Sequence, residues 1–327
     1  MTESSQSTED KLRWNEEKEV VHSSRPIKFL TWLIRILPFW VMGIVTILVS
    51  IFYWIFSPRA RNEAVRFQRQ MRDFTGSRKG VYFASFVQLL SFSLSLVEKI
   101  SGWMGDTDKG GIDYKGGAGL ELKERLERGE GAFLIGSHLG NMELMRCLAA
   151  YGRTGVDRSV PVTVIIDTNV TAQFNRTLEE LNPLYNVNMI SASEIGLGTV
   201  NLLQERISSG GLVVIAGDRT SASTPERNIL CPFLGKNALF PFGAFYLAAL
   251  LNVPTYFFFP LRRRPFMFSP AYTMYVEKSR VDFDCSRKER MERTEALCRE
   301  FVRVLEEYSV RFPLQWYNFH NFWVEEA

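Results

Sequence analysis

The stretch "GAFLIGSHLGNMELMR", Gly131 to Arg146, governs how this chain folds. Its first half is a short, continuously apolar run of the kind that forms a strand buried on both faces. The run breaks at His138, flanked by Gly136 and Gly140, and resumes at helical spacing with Asn141 and Glu143. Strand, glycine-flanked turn and helix in that order place His138 at the carboxyl end of a parallel sheet, where open α/β folds gather their active sites. The glycines permit a tight turn and close approach of a substrate. Asn141 is suited to cap the following helix, which sets Glu143 in its first turn, pointing back over the loop. A carboxylate within reach of an imidazole fixes its tautomer and leaves the other ring nitrogen to accept a proton.

The rest of the C-terminal two thirds agrees with that assignment. "VPVTVII", "GLVVIAGDR" and "VPTYFFFPL" read as further buried strands. "GLELKERLERGE", "NMELMRCLAAYG", "VTAQFNRTLEELNP", "TVNLLQERISSG" and "PFGAFYLAALLN" read as helices between them. The alternation predicts an α/β domain over 110–327, with a mostly parallel central sheet flanked by helices.

The N-terminal third is different. Residues 1–27 are polar and mixed in charge, a tail. Residues 28–57 contain "FLTWLIRILPFWVMGIVTILVSIFYWIF", without a charge from Ile36 to Phe56. About 20 such residues suffice to cross a bilayer core. Trp32, Trp40, Tyr53 and Trp54 are the aromatic residues expected near its interfaces. The run is too long for a signal peptide, and "SPRARNEA" after it offers no cleavage site. Arg35 and Pro38 leave open whether the segment spans the membrane or lies in it. Residues 58–109 form a helical connector. Within it, "VYFASFVQLLSFSLSLVEKI" sets Phe83, Phe86, Leu90, Leu94 and Val97 at helical spacing, with Ser85, Gln88, Ser91 and Ser95 between them. That amphipathic helix would pack on the catalytic domain or lie on the membrane.

Composition narrows the chemistry. A net charge of +3 suits an anionic membrane or an acidic partner but is far too weak for nucleic acid. The 25 phenylalanines fit contact with lipid. Cys147, Cys231, Cys285 and Cys298 are scattered without a CxxC pair, as expected of reduced cysteines in a cytoplasmic compartment. Neither His22 nor His320 stands at ligand spacing from His138, so no metal or other cofactor is expected. "GSHLG" has the outline of a nucleophile elbow, but its centre is His138 and Ser137 comes one residue early. "GGAG" at 116–119 lacks the lysine and the preceding strand of a phosphate loop. These exclusions leave a histidine base acting on an acceptor, without an enzyme-bound acyl group.

Beside a membrane segment, "SHLGNME" resembles the His-x4-Asp/Glu block of the lysophospholipid acyltransferase superfamily. Residues 29–323 resemble its bacterial lipid A biosynthesis acyltransferase branch, closest to the acyltransferases associated with aryl polyene synthesis. "VVIAGDRT", "FLGKNALFPFGAFYLAALLNVP" and "PLQWYNFHNFW" carry that likeness. The resemblance implies acyl transfer from an acyl carrier protein or CoA thioester to a hydroxyl or amine of a membrane lipid. It implies a glycerolipid acyltransferase-like fold at the cytoplasmic face of a bacterial inner membrane. His138 would be the general base and Glu143 its orienting partner. Substrate contacts would come from Asn141, Asn169, Asp218, Arg219, Phe233, Lys236 and Phe242. Phe240 would join Phe233 and Phe242 along an acyl channel, and Arg219 would bind a phosphate or the developing oxyanion. Where lipid A enzymes carry an arginine, this chain reads "IIDTNV", with Asp167 and Asn169, which argues against a standard lipid A acceptor. Arg262 to Arg264 are either a basic docking cluster or a solvated loop, and His320 is the other candidate base. "QWYNFHNFW" is too aromatic to hang free and should pack back on the core or enter the interface. Two alternatives stay open: a thioester or ester hydrolase using the same pair, and a non-catalytic lipid-binding scaffold.

Overall fold

A computed structural model of the chain describes residues 25–104, 113–143, 147, 151–152, 154–166, 180, 189–220, 227–264 and 271–324. Four helices come first: α1 (Arg25–Ile36), α2 (Phe39–Phe56), α3 (Pro58–Thr75) and α4 (Val81–Trp103). The sheet domain follows as β1 (Asp113–Lys115), α5 (Gly119–Glu127), β2 (Ala132–Gly136), β3 (Val162–Ile166) and β4 (Met189–Ser191). It continues with α6 (Leu197–Ser208), β5 (Leu212–Ala216), β6 (Asn228–Phe233), β7 (Lys236–Pro241) and α7 (Phe242–Leu251). The last elements are β8 (Thr255–Arg262), β9 (Tyr272–Lys278) and α8 (Glu289–Arg311).

Seven strands form one sheet in the order β1-β9-β8-β2-β5-β3-β4. Every neighbouring pair is parallel except β8 with β9. The α/β architecture expected from the sequence is therefore present. Helices cover both faces, so the central strands are apolar throughout: all of "AFLIG" and all of "TYFFFPLR" are buried. Successive side chains alternate between two cores. Phe133, Ile135, Phe257 and Phe259 meet Phe245 of α7 and Phe301 of α8, while Leu134, Tyr256 and Phe258 meet Leu122 and Leu126 of α5. β6 and β7 form a separate antiparallel hairpin that turns through Leu234 and Gly235, both at positive φ.

The apolar segment at 28–57 is not one helix. It breaks at Leu37–Pro38, where proline has no N–H to continue the ladder. A second break at Ser57–Pro58 bends α3 away from α2 by 93°. Ile44, Leu48, Ile51, Phe52, Ile55 and Phe56 leave α2 with an exposed apolar surface. α4 is by length and composition the one described helix able to cross a membrane alone, and α2 with α3 would do so only as a bent pair. α4, however, is largely buried within the protein.

α4 is buried on more than its apolar side: Leu90, Leu94 and Val97 pack inward as expected, and the polar positions between them are buried as well. Ser85, Gln88, Ser91, Ser95 and Glu98 are the buried stripe, whereas Tyr82 and Phe83 are exposed, Phe83 by 74%. The reason is that α4 packs against a segment with no sheet partner. Gln88 Nε2 donates to the Trp316 carbonyl at 2.6 Å, and Gln68 of α3 donates to Gln88 Oε1 and to the Pro313 carbonyl. Ser91 and Tyr317 share a hydroxyl hydrogen bond of 2.8 Å. Buried backbone groups outside a sheet need such partners, so the polar stripe belongs inside.

Glu98 ends the stripe, paired with Arg262 and accepting from the Tyr272 hydroxyl. Glu98 and Arg262 are almost wholly buried, so Arg262 is no part of a surface basic cluster. Arg263, by contrast, is exposed and reaches Asp113 at 3.0 Å. Removing one partner of a buried pair strands the other charge. Arg262→Met should lower the unfolding free energy by about 3–5 kcal/mol, measured by denaturant titration, and Glu98→Gln in the same chain should return part of it.

Candidate active site

β2 and β5 are adjacent and parallel, with Gly136 opposite Ala216. Gly217 N donates to the Gly136 carbonyl at 2.8 Å as the strands end. The same register carried two residues further sets His138 beside Asp218. His138 Nδ1 stands 2.9 Å from Asp218 Oδ1, and the His138 backbone N–H donates to Oδ2 at 2.7 Å. Asn318 completes the set, its Nδ2 donating to Asp218 Oδ2 at 2.9 Å. The Asn318 carbonyl oxygen accepts from Arg219 Nε at 2.7 Å, and Arg219 Nη2 reaches the Tyr317 carbonyl at 3.4 Å.

The loop that carries His138 is clamped from two sides. Gly140 N–H donates to the Gln315 carbonyl, Tyr317 N–H to the His138 carbonyl, and Asn141 N–H to the Pro260 carbonyl, all near 3 Å. Gly140 has φ +89°, and a Cβ there would stand 2.1 Å from the Pro260 oxygen, so only glycine fits. Gln315 is itself locked to the Arg262 backbone by two hydrogen bonds.

Asp218 is fully buried, and burial alone would raise its pKa. The charge and hydrogen bonds of His138, with Arg219, outweigh that and hold the carboxyl below its usual range. A carboxylate only accepts, so the proton lies on His138 Nδ1 and Nε2 keeps a lone pair. The imidazole is lowered from its ordinary pKa, first by burial and then by the Arg219 charge, against the pull of Asp218. Its side chain nevertheless keeps 28% of its surface exposed. The ring is thus neutral near pH 7, oriented by a buried anion, and open on one side. Such a group removes a proton from a bound hydroxyl or amine.

The expected site residues divide. His138 and Arg219 come together. Asp218 joins them, bound to His138 rather than aimed at a substrate. The carboxylate at His138 Nδ1 is Asp218 and not Glu143, which accepts from Trp103 Nε1 at 3.2 Å and lies 3.9 Å from Lys99 Nζ. Both of these partners belong to α4. The Asn141 side chain is buried, donating to the Ser95 carbonyl and the Tyr272 hydroxyl, and so braces the loop from within. Phe233 and Phe240 are fully buried core, packed against Phe322, with Trp316 also on Phe233. Phe242 is half-buried and stacks on Tyr246. Lys236 is exposed where the hairpin turns. Asn169 and Asp167 lie outside the described residues.

His320 is within electrostatic reach of His138 and Asp218, but burial and the charges of Arg219 and His138 push its pKa down to about 3. A group held so low is a poor base near neutrality. Ser137 is fully buried and accepts from the Leu139 N–H, so it offers no nucleophile. Among the described residues no cluster of three or more His, Cys, Asp or Glu is placed to hold a metal ion. Asn318 and Lys99 were missed in the sequence. The polar residues set among the aromatics of the terminal block, Asn318 with His320 and Asn321, were the available signal.

The depressed His138 pKa sets the pH dependence of any reaction that uses it as base. Activity should rise with pH through a value below the ordinary histidine range near 6.5 and be flat at neutrality. Asp218→Asn removes the group that supports the imidazolium. It should cut the rate on the order of a hundredfold to ten-thousandfold and displace the acid limb to still lower pH, read from a pH–rate profile. No protein-family model and no curated protein matches the chain.

Proposed function

We propose that the protein is a membrane-bound acyltransferase that moves a fatty or polyene acyl chain from a thioester to a lipid acceptor. The donor would be acyl carrier protein or CoA, and the acceptor a hydroxyl or amine of a lipid in a bacterial inner membrane, used from the cytoplasmic side. The observation that carries this proposal is a neutral imidazole with Nδ1 on a buried carboxylate and an exposed edge. His138 Nε2 takes the acceptor proton as the acceptor oxygen or nitrogen bonds to the thioester carbon. The C–S bond then breaks, and the imidazolium returns the proton to the departing thiolate. Arg219 is placed beside this pair to meet the charge that develops on the carbonyl oxygen. The buried Ser137, Cys147, Cys231 and Cys298 support direct transfer without an acyl-enzyme.

The membrane part is supported by exposed apolar side chains on α1 and α2. Phe29, Trp32, Ile36, Trp40, Leu48, Phe52 and Phe56 form an apolar surface of a kind that water disfavours and lipid accepts. The likeness of "SHLGNME" and the terminal aromatic block to lysophospholipid acyltransferases points the same way.

His138→Ala should lose acyl transfer on the order of a hundredfold or more while still partitioning into membranes. Mass spectrometry of lipids from cells with and without the protein should reveal an acylated product. Free fatty acid appearing in its place would identify a hydrolase instead. No consumption of any acyl thioester would leave only the scaffold.

A further inference from the structure

We propose that Asn318 is a positioning residue that holds the Arg219 guanidinium away from the Asp218 carboxylate, so that the carboxylate serves His138; this rests on His138 being the base. Asp218 and Arg219 are consecutive and oppositely charged, and Arg219 is near enough to pull the Asp218 pKa down. Yet the hydrogen bonds that Asp218 accepts come from His138 N, His138 Nδ1 and Asn318 Nδ2. The Asn318 amide stands between the neighbours, giving a proton to one at 2.9 Å and taking one from the other at 2.7 Å. A primary amide suits this place because it carries a donor and an acceptor side by side without charge. Asn318 is 2% exposed, and its segment is pinned to the catalytic loop through Tyr317 N–H and the Trp316–Leu139 bridge.

Without the amide, a guanidinium beside a buried carboxylate closes on it in a bidentate pair. Asp218 would then answer Arg219, and His138 would lose both its tautomer lock and the anion that stabilises its protonated form. Among the described residues, the charged and titratable groups that act on His138 are Asp218, Arg219, Lys99 and His320. Asn318 governs the balance between the first two.

The test compares the full-length wild type, Asn318→Ala, Arg219→Gln and the double variant. The donor is a fatty acyl–acyl carrier protein, the acceptor a total lipid extract of the host membrane, and the readout kcat, KM and the pH–rate profile. Asn318→Ala should lower kcat on the order of a hundredfold with KM little changed and the acid limb moved to lower pH. On the Arg219→Gln background the same change should cost about threefold or less, because no guanidinium is left to collapse. Equal factors in both backgrounds would overturn the proposal. Asn318→Asp sets a second carboxyl about where the amide stood, 2.9 Å from Asp218; carboxyls so close share one proton, and the protonated form donates to Asp218 and accepts from Arg219 as the amide does. Its kcat should therefore stay within about tenfold of the wild type, and this variant decides the matter if Asn318→Ala does not fold, since a loss on the order of a hundredfold would overturn the proposal. If the wild type transfers nothing while His138→Ala is equally inert, the acyltransferase reading fails. The same displacements are then read directly as the His138 pKa by NMR of protein labelled with 15N-histidine.

Discussion

The pairing of β2 with β5 is the constraint from which the site follows. Two parallel strands held in register deliver the residues just beyond them side by side, and here the second residue past each strand is His138 and Asp218. The chemistry therefore needs no special loop conformation to bring base and anion together. It needs only that both turns leave the sheet in the same way. That is why the turn after β2 is bound so closely, by Pro260 at the end of β8 and by Gln315 and Tyr317 near the C-terminus. Sheet hydrogen bonds supply the position, and the clamps preserve it beyond the last strand residue.

The helical N-terminal part faces two ways. α4 turns its glutamine, serines and glutamate inward to backbone carbonyls and to the Arg262–Tyr272 pair, while Tyr82 and Phe83 look outward. The helix buries Leu89, Leu90, Leu94 and Val97 together with those polar groups, so it is enclosed on most sides and open to the outside near its start. The exposed surface of α2 is apolar. The 93° bend into α3 then carries the chain from that apolar surface back along the sheet domain, where Gln68 and Gln70 grip the C-terminal segment and the β6–β7 turn.

Much of this was legible in the sequence. The unbroken apolar runs of β2, β5 and β8 announce strands covered on both faces, and His138 between glycines announces the turn at their ends. The aromatic terminal block does pack back, with Trp316 and Trp323 in the core. What escaped was whatever depends on neighbours in space. Glu143, five residues from His138, looked like its partner, whereas the actual anion is 80 residues away. The polar stripe of α4 looked solvated because nothing in its sequence tells which backbone lies against it. Arg262 looked like one of three surface arginines because its partner, Glu98, lies 164 residues earlier. Phe233 and Phe240 read equally well as channel wall or core, since both need apolar side chains, and burial decides for core.

The distances along the chain also have a meaning for biosynthesis. Asp218 follows His138 by 80 residues, and Asn318 follows Asp218 by 100. At ribosomal speeds of about 5–20 residues per second, the imidazole emerges roughly ten to forty seconds before the amide that completes its surroundings. During that interval the nascent polypeptide already carries its exposed apolar helices but not the complete set of groups around His138. The apolar helices are thus complete well before the His138–Asp218–Asn318 set can close, so the order of synthesis places the hydrophobic surface first and the hydrogen-bonded site last.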